Sequence, residues 1–280
     1  DKDGKEYLDF TSGIAVTNLG HSHPNITKSI LKQSDKIIHS SNLFFNELQP
    51  FLAETLVECS ELDNGKCFFC NSGAEANEGM IKLARMWGHN QNRYEIITMK
   101  KSFHGRTLAT LTATGQDKVK KGFDPLPKGF FHAEYNNIKS VEELINSRTV
   151  AIMMESIQGE GGIIPADQDF FHQVRLLCDR EGILLLCDEV QSGIGRTGKW
   201  FGFQHYGIKP DIISTAKGLG NGFPIGAFIA NSALSNIFQP GAHGTTFGGT
   251  PLACSVSLAV IKTIKDDCLL QNAEEKGSLL

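Results

Sequence analysis

The segment DIISTAKGLGNGFPIGA, residues 211–227, runs an apolar strand pattern straight into a single lysine and a glycine-rich turn. Ile212 and Ile213 lead through Ser214, Thr215 and Ala216 to Lys217, and four glycines and a proline follow within nine residues. An ammonium group emerging from a buried strand is costly to desolvate, so it either snorkels to water or has chemistry to perform. A desolvated lysine has a lowered pKa and can condense with a carbonyl. The glycines after it are expected to leave room beside the backbone for a bulky ligand. Their G-x-G-x-G spacing, interrupted by a lysine and lacking a downstream acidic partner, argues against a dinucleotide turn.

Short apolar runs of the same kind recur along the chain. KCFFC precedes a helical pattern over 74–88, and YEIITM (94–99) precedes one over 105–114. TVAIMME (149–155) is followed by 170–180, where Phe171, Val174, Leu177 and Cys178 share one face. ILLLCDE (183–189) and IGAFIA (225–230) are further strands. Near-continuous apolar strands joined by helices predict an α/β fold with a mostly parallel central sheet, flanked by helices. Ligands of such sheets bind outside the carboxyl ends of the strands. The polar residues expected there are 71–73, 102–106, Glu155, Asp188 with Glu189, and Lys217.

Taken singly, each of these has an ordinary reading. Ser72 could simply cap a helix, although Gly73 and the first N–H groups behind it also suit a phosphate. Asp188, directly after four apolar positions, could brace a loop or meet a cation. Together, a desolvated lysine, a carboxylate on a neighbouring strand and a helix N-terminus meet the three demands of pyridoxal phosphate.

A net charge of −4 gives no electrostatic footprint for nucleic acid or an anionic membrane. No apolar run approaches the roughly 20 residues of a membrane span. Most of the seven scattered cysteines read as buried free thiols, and the CFFC pair suits no shared metal, because positions three apart on a strand face opposite sides. No metal site is expected. His21 and His23, in GHSHP, are expected to brace a loop. The opening DKDGKEYLDF reads as a hairpin turn leading into a strand. The chain is expected to be an excerpt of a longer one.

The motifs SGIAVTNLGHSHP, FFCNSGAEANEGMIKLAR, SFHGRTLATLTATG, ESIQGEGG, LLLCDEVQSGIGRTGK, STAKGLGNGFPIGA and HGTTFGGTPLACSV resemble the class III pyridoxal phosphate aminotransferases, in the same order and over essentially the whole chain. They look most like the acetylornithine branch. The resemblance implies a fold type I transferase with part of a small α+β domain. Residues 1–42 would begin that small domain and 43–262 would form the large cofactor-binding domain. Residues 263–280 would start a linker to a C-terminal small domain.

The resemblance also implies site roles. Lys217 would bond the cofactor and move the proton, and Asp188 would pair with the pyridinium nitrogen. Phe103 and Val190 would cover the ring faces, and Gln191 would lie near its hydroxyl. Ser72, Gly73 and Ala74 would bind the phosphate, with Thr246 reaching that of a neighbouring subunit in a homodimer with shared active sites. Arg106 would bind a substrate carboxylate, and Glu160 would gate a second arginine beyond Leu280. Ile14, at the place of a tyrosine in ornithine-specific relatives, would favour an acylated donor. The implied reaction moves the terminal amine of N2-acetylornithine to 2-oxoglutarate in arginine biosynthesis. The implied location is the cytoplasm, or the mitochondrial matrix in a eukaryote. Donors such as 4-aminobutyrate, ornithine or succinylornithine, and an aminomutase reaction, are the alternatives.

Overall fold

The computed structural model describes residues 1–62 and 64–280. Its strands are β1 (Lys66–Cys70), β2 (Glu95–Met99), β3 (Phe130–Ala133), β4 (Thr149–Glu155), β5 (Ile157–Gln158), β6 (Ile164–Pro165), β7 (Leu184–Asp188), β8 (Ile212–Thr215) and β9 (Gly226–Ala230). Seven of them form one sheet in the order β1-β9-β8-β7-β4-β2-β3. Only β9 runs against its neighbours in that sheet, and β5 and β6 form a separate ribbon. The fold is α/β with a mostly parallel sheet, as the apolar runs predict.

Strands β2, β4, β7, β8 and β9 are buried at every position. Helices on both faces make this possible, and the pleat deals successive side chains to alternate layers. Ile97, Ile152, Leu185 and Ile213 join the core layer that includes the helices Leu48–Ser60, Gln168–Glu181 and Pro251–Asp266. Ile96, Ala151, Leu186 and Ile212 join the opposite layer, under the helix Gly73–Gly88. That helix lies close on the sheet at Gly79, where a Cβ would stand 2.3 Å from the Phe228 ring.

Register places the chemistry. Glu155 pairs with Asp188, and Asp188 pairs with Ser214, so β4, β7 and β8 end level. Lys217 follows two residues beyond the end of β8.

The structure departs from the sequence reading in several places. Residues 5–9 form no strand; Asp1 Oδ1 instead accepts from the N–H groups of Asp3 (2.9 Å) and Lys5 (3.0 Å), and no described strand pairs with this segment. The helix expected over 105–114 is only Leu108–Ala113. Ahead of it, the N–H of Phe103 donates to Glu155 Oε2 (3.1 Å) and that of His104 to Thr114 Oγ1 (2.9 Å), which commits those donors to a loop. Strand β3 gave no usable signal, being four residues with mixed burial.

His21 Nε2 meets Asp9 Oδ2 at 2.7 Å, and His23 Nδ1 caps the helix Pro24–Ser34 by accepting from the Asn25 N–H. Both histidines therefore brace the chain. In the CFFC stretch, Cys67 Sγ donates to Ala53 O and Cys70 Sγ to Ser72 O. Burial raises both thiol pKa values, that of Cys70 to about 12.

Candidate active site

The carboxyl ends of β1, β4, β7 and β8 converge on a cavity of about 400 Å³. Asp188 sits at its buried side. Its Oδ2 accepts from Asn77 Nδ2 at 2.7 Å and from His104 Nδ1 at 2.8 Å. Its Oδ1 accepts from the Val190 N–H at 3.1 Å and from Ser214 Oγ at 3.4 Å. A carboxylate only accepts, so His104 carries its proton on Nδ1. Two short bonds occupy Oδ2, while the longer pair leaves Oδ1 with capacity for another donor.

Lys217 lies across the same cavity, half-buried. Burial lowers its pKa, opposed by the carboxylates of Asp188, Glu160 and Glu155. No hydrogen bond or ion pair engages its Nζ among the described residues. Its backbone is left-handed (φ 44°), a conformation that costs a non-glycine residue about 1–2 kcal/mol.

The glycines behind Lys217 do something other than expected. A Cβ on Gly218 would lie 2.3 Å from Asn18 Nδ2, and one on Gly220 would lie 1.9 Å from the Phe223 carbonyl. These two let the chain fold tightly on itself, and Gly222 alone of the three lines the cavity.

Ser72 caps the helix Gly73–Gly88, its Oγ accepting from the Glu75 N–H at 3.2 Å. The N–H groups of Gly73 and Ala74 have no intrahelical acceptor and open on the cavity, the arrangement that holds anions. Val190 presses on this cradle: a Cβ on Gly73 would meet its Cγ1 at 2.7 Å. Gln191 lines the opposite wall and donates to Glu160 Oε1 at 3.3 Å.

Phe103 lines the cavity, and the exposed Arg106 guanidinium lies 5.5 Å from its ring centre. Behind Phe103, burial and the neighbouring Asp188 push Glu155 well above the ordinary carboxylate range. The adjacent Glu189 serves the scaffold instead: it is fully buried and accepts from the N–H groups of Gly202 (2.6 Å) and Phe203 (2.9 Å) and from Ser192 Oγ (2.7 Å).

Thus Ser72, Gly73, Ala74, Phe103, Arg106, Glu160, Asp188, Val190, Gln191 and Lys217 all line one cavity. Ile14 and Thr246 do not: Ile14 is 66% exposed, and Thr246 is exposed on a separate loop. Val16, two residues beyond Ile14, reaches the cavity in its place. Sequence reasoning placed His104 within the expected 102–106 stretch without giving it a role, and missed Asn77 altogether; both are buried against Asp188. A histidine between an aromatic and a glycine in SFHGR was the signal available for the first.

These residues fit the pyridoxal phosphate expected from the sequence. The free helix N–H groups suit its phosphate, the unpartnered lysine its carbonyl and Asp188 its ring nitrogen. Buried atoms left without a partner, His104 Nε2 and Asn77 Oδ1, belong to residues lining the same space.

The family model for Aminotransferase class-III matches residues 1–280, and the chain belongs to that family. An acetylornithine aminotransferase from Caldanaerobacter subterraneus subsp. tengcongensis is 51% identical over 280 residues, covering 99% of this chain and 70% of the relative. A succinylornithine transaminase from Photorhabdus laumondii subsp. laumondii is 50% identical over 273 residues, covering 96% of this chain and 67% of the relative. The solved ornithine aminotransferase from Toxoplasma gondii, which has partial occupancy of PLP at its active site, matches with a TM-score of 0.95 at 30% identity. It covers 100% of this chain and 67% of that one.

Proposed function

We propose that the chain is a pyridoxal phosphate-dependent aminotransferase that moves the terminal amino group of N2-acetylornithine to 2-oxoglutarate. The products are N-acetylglutamate semialdehyde and glutamate, which puts the enzyme in arginine biosynthesis. The observation that carries the chemistry is the unpartnered, pKa-lowered Lys217 facing Asp188 and a free helix N-terminus across one cavity. The choice of donor is supported by the 51% identity to an acetylornithine aminotransferase. Succinylornithine is the second reading, supported by the 50% identical transaminase named for it.

When bound, pyridoxal phosphate supplies a carbonyl that condenses with amines and a ring that withdraws electrons from the amine-bearing carbon. Ser72, Gly73 and Ala74 would hold the phosphate at the capped helix end. Phe103, Val190 and Gln191, which line the cavity, would hold the cofactor's ring. Asp188 would accept from the ring nitrogen and so hold a proton there, which would keep the ring electron-withdrawing. Lys217 would provide the amine that anchors the cofactor, and its lowered pKa would let Nζ accept and return a proton. Arg106 takes the donor's carboxylate with its forked N–H groups, which presents the far amine for reaction. Glu160 controls access for the second carboxylate of 2-oxoglutarate.

The reading includes a homodimer in which Thr246 serves the partner's site, supported by its exposure outside its own chain's cavity. It also includes a cytoplasmic location (mitochondrial matrix in a eukaryote), supported by seven free thiols. No described helix is long and apolar enough to cross a membrane.

The test is the visible absorbance of the purified, cofactor-loaded protein. Loss of the band with N2-acetylornithine and its return with 2-oxoglutarate support both half-reactions. Indifference to N2-acetylornithine with response to another amine overturns the donor, and absence of any cofactor-derived band overturns the chemistry.

A further inference from the structure

The helix Gly73–Gly88 carries the candidate phosphate cradle at its first residues, and one turn further in it carries Asn77. Asn77 is 1% exposed, on a stretch of helix that otherwise buries Ala76, Met80 and Ile81. An asparagine there is a weak helix former, and a buried amide is costly unless bonded. Its Nδ2 donates twice, to Asp188 Oδ2 at 2.7 Å and to the His104 carbonyl at 2.7 Å. Turning the amide over would aim its oxygen at two acceptors, so the orientation is determined. Its Oδ1 has no partner among the described residues. Among the described residues, only Asp188 and the His104 backbone hold this side chain by hydrogen bonds.

We propose that Asn77 is a positioning residue that locks the Asp188 carboxylate to the phosphate-binding helix. Four residues of helix, about 6 Å of rise, then set a fixed separation between the two anchors of the cofactor. One anchor is the N-terminal N–H group pair and the other is Asp188. The same amide fixes the His104 backbone, whose imidazole makes the second short bond to Oδ2. The inference rests on the reading that Asp188 holds the cofactor's ring nitrogen.

The test is titration of the apo-protein with pyridoxal phosphate, followed by absorbance, for the parent, Asn77→Ala, Asp188→Ala and the double variant. Losing a hydrogen bond to a charged group predicts a tenfold or greater weakening in Asn77→Ala. Because Asn77 acts through Asp188, adding Asn77→Ala to Asp188→Ala is expected to change affinity less than about twofold. A merely structural asparagine gives the same penalty in both backgrounds, and that result overturns the inference. So does unchanged affinity in Asn77→Ala alongside a weakened Asp188→Ala. Unchanged affinity in Asp188→Ala instead overturns the underlying reading. The isosteric Asn77→Asp carries the test if the alanine variant does not fold. It places a second carboxyl beside Asp188, so its affinity is expected to fall with rising pH, against a parent profile without that fall. Coinciding profiles refute the proposal.

Discussion

Replacing Asp188 by asparagine keeps its shape and tests whether the donor set around it is what the structure describes. The new NH2 group must face one of two pairs of partners. Facing the Oδ2 side, it opposes the amide of Asn77 and the N–H of His104, now at 2.7 and 2.8 Å. That loses two bonds to a charged group, about 3–6 kcal/mol at about 1.5–3 each. Facing the Oδ1 side, it opposes the Val190 N–H at 3.1 Å and Ser214 Oγ at 3.4 Å. The serine hydroxyl can rotate and accept, so only the Val190 bond is lost, about 1.5–3 kcal/mol. The second orientation therefore wins, and apo-protein stability is expected to fall by about 1.5–3 kcal/mol in urea unfolding. The same variant turns a donor toward the oxygen with spare capacity, so pyridoxal phosphate affinity is expected to fall at least about tenfold. Stability within about 0.5 kcal/mol of the parent, with affinity unchanged, would refute the assigned network.

Lys217→Ala is expected to cut transamination by on the order of 10³-fold or more while the protein still binds pyridoxal phosphate non-covalently; single-turnover absorbance checks this, and near-parental turnover rules the lysine out. Glu155 titrates well above the ordinary 4.5 because burial and then Asp188 disfavour its charge. Folding thus favours the protonated form, so its contribution is full below about pH 4.5 and is lost as pH rises through the raised value. Glu155→Gln, which never ionises, should gain stability over the parent as pH rises through that window, and a pH-independent difference between the two unfolding curves counts against it. Gly79→Ala places a methyl 2.3 Å from the buried Phe228 ring; overpacking should cost about 1–3 kcal/mol by urea denaturation, whereas a helix-propensity gain would show the contact to be loose.

The fold was legible because both faces of the sheet are covered. That requirement forces near-continuous apolar runs in β4, β7 and β8, and their ends marked Glu155, Asp188 and Lys217 as neighbours before any coordinates. What stayed hidden depends on contacts between distant segments. No local pattern tells that Asn77 reaches a carboxylate 111 positions away or that His104 reaches it from 84 away. The glycines after Lys217 misled for the same reason. Their need comes from Asn18, some 200 residues earlier, and from a carbonyl in the same turn, neither of which periodicity encodes. Ile14 came from the family resemblance alone, and the chain's path sends Val16 to the cavity instead.

The pair Asp188–Glu189 illustrates how one strand end supplies both chemistry and frame. Adjacent residues on an extended chain point to opposite sides, so two carboxylates that look equivalent in sequence enter different surroundings. Asp188 meets a histidine, an asparagine and the cavity, whereas Glu189 is enclosed by backbone N–H groups of the 202–203 turn. The frame around Glu189 holds the loop that carries Val190 and Gln191, and so holds two walls of the site. Burial pushes the remaining groups toward neutrality, Glu155 upward and Lys217 downward. A neutral amine is a nucleophile and a neutral carboxyl adds no competing charge. Asp188, with four donors aimed at it, is then the acceptor around which the cavity is organised, opposite a helix end whose free N–H groups call for an anion.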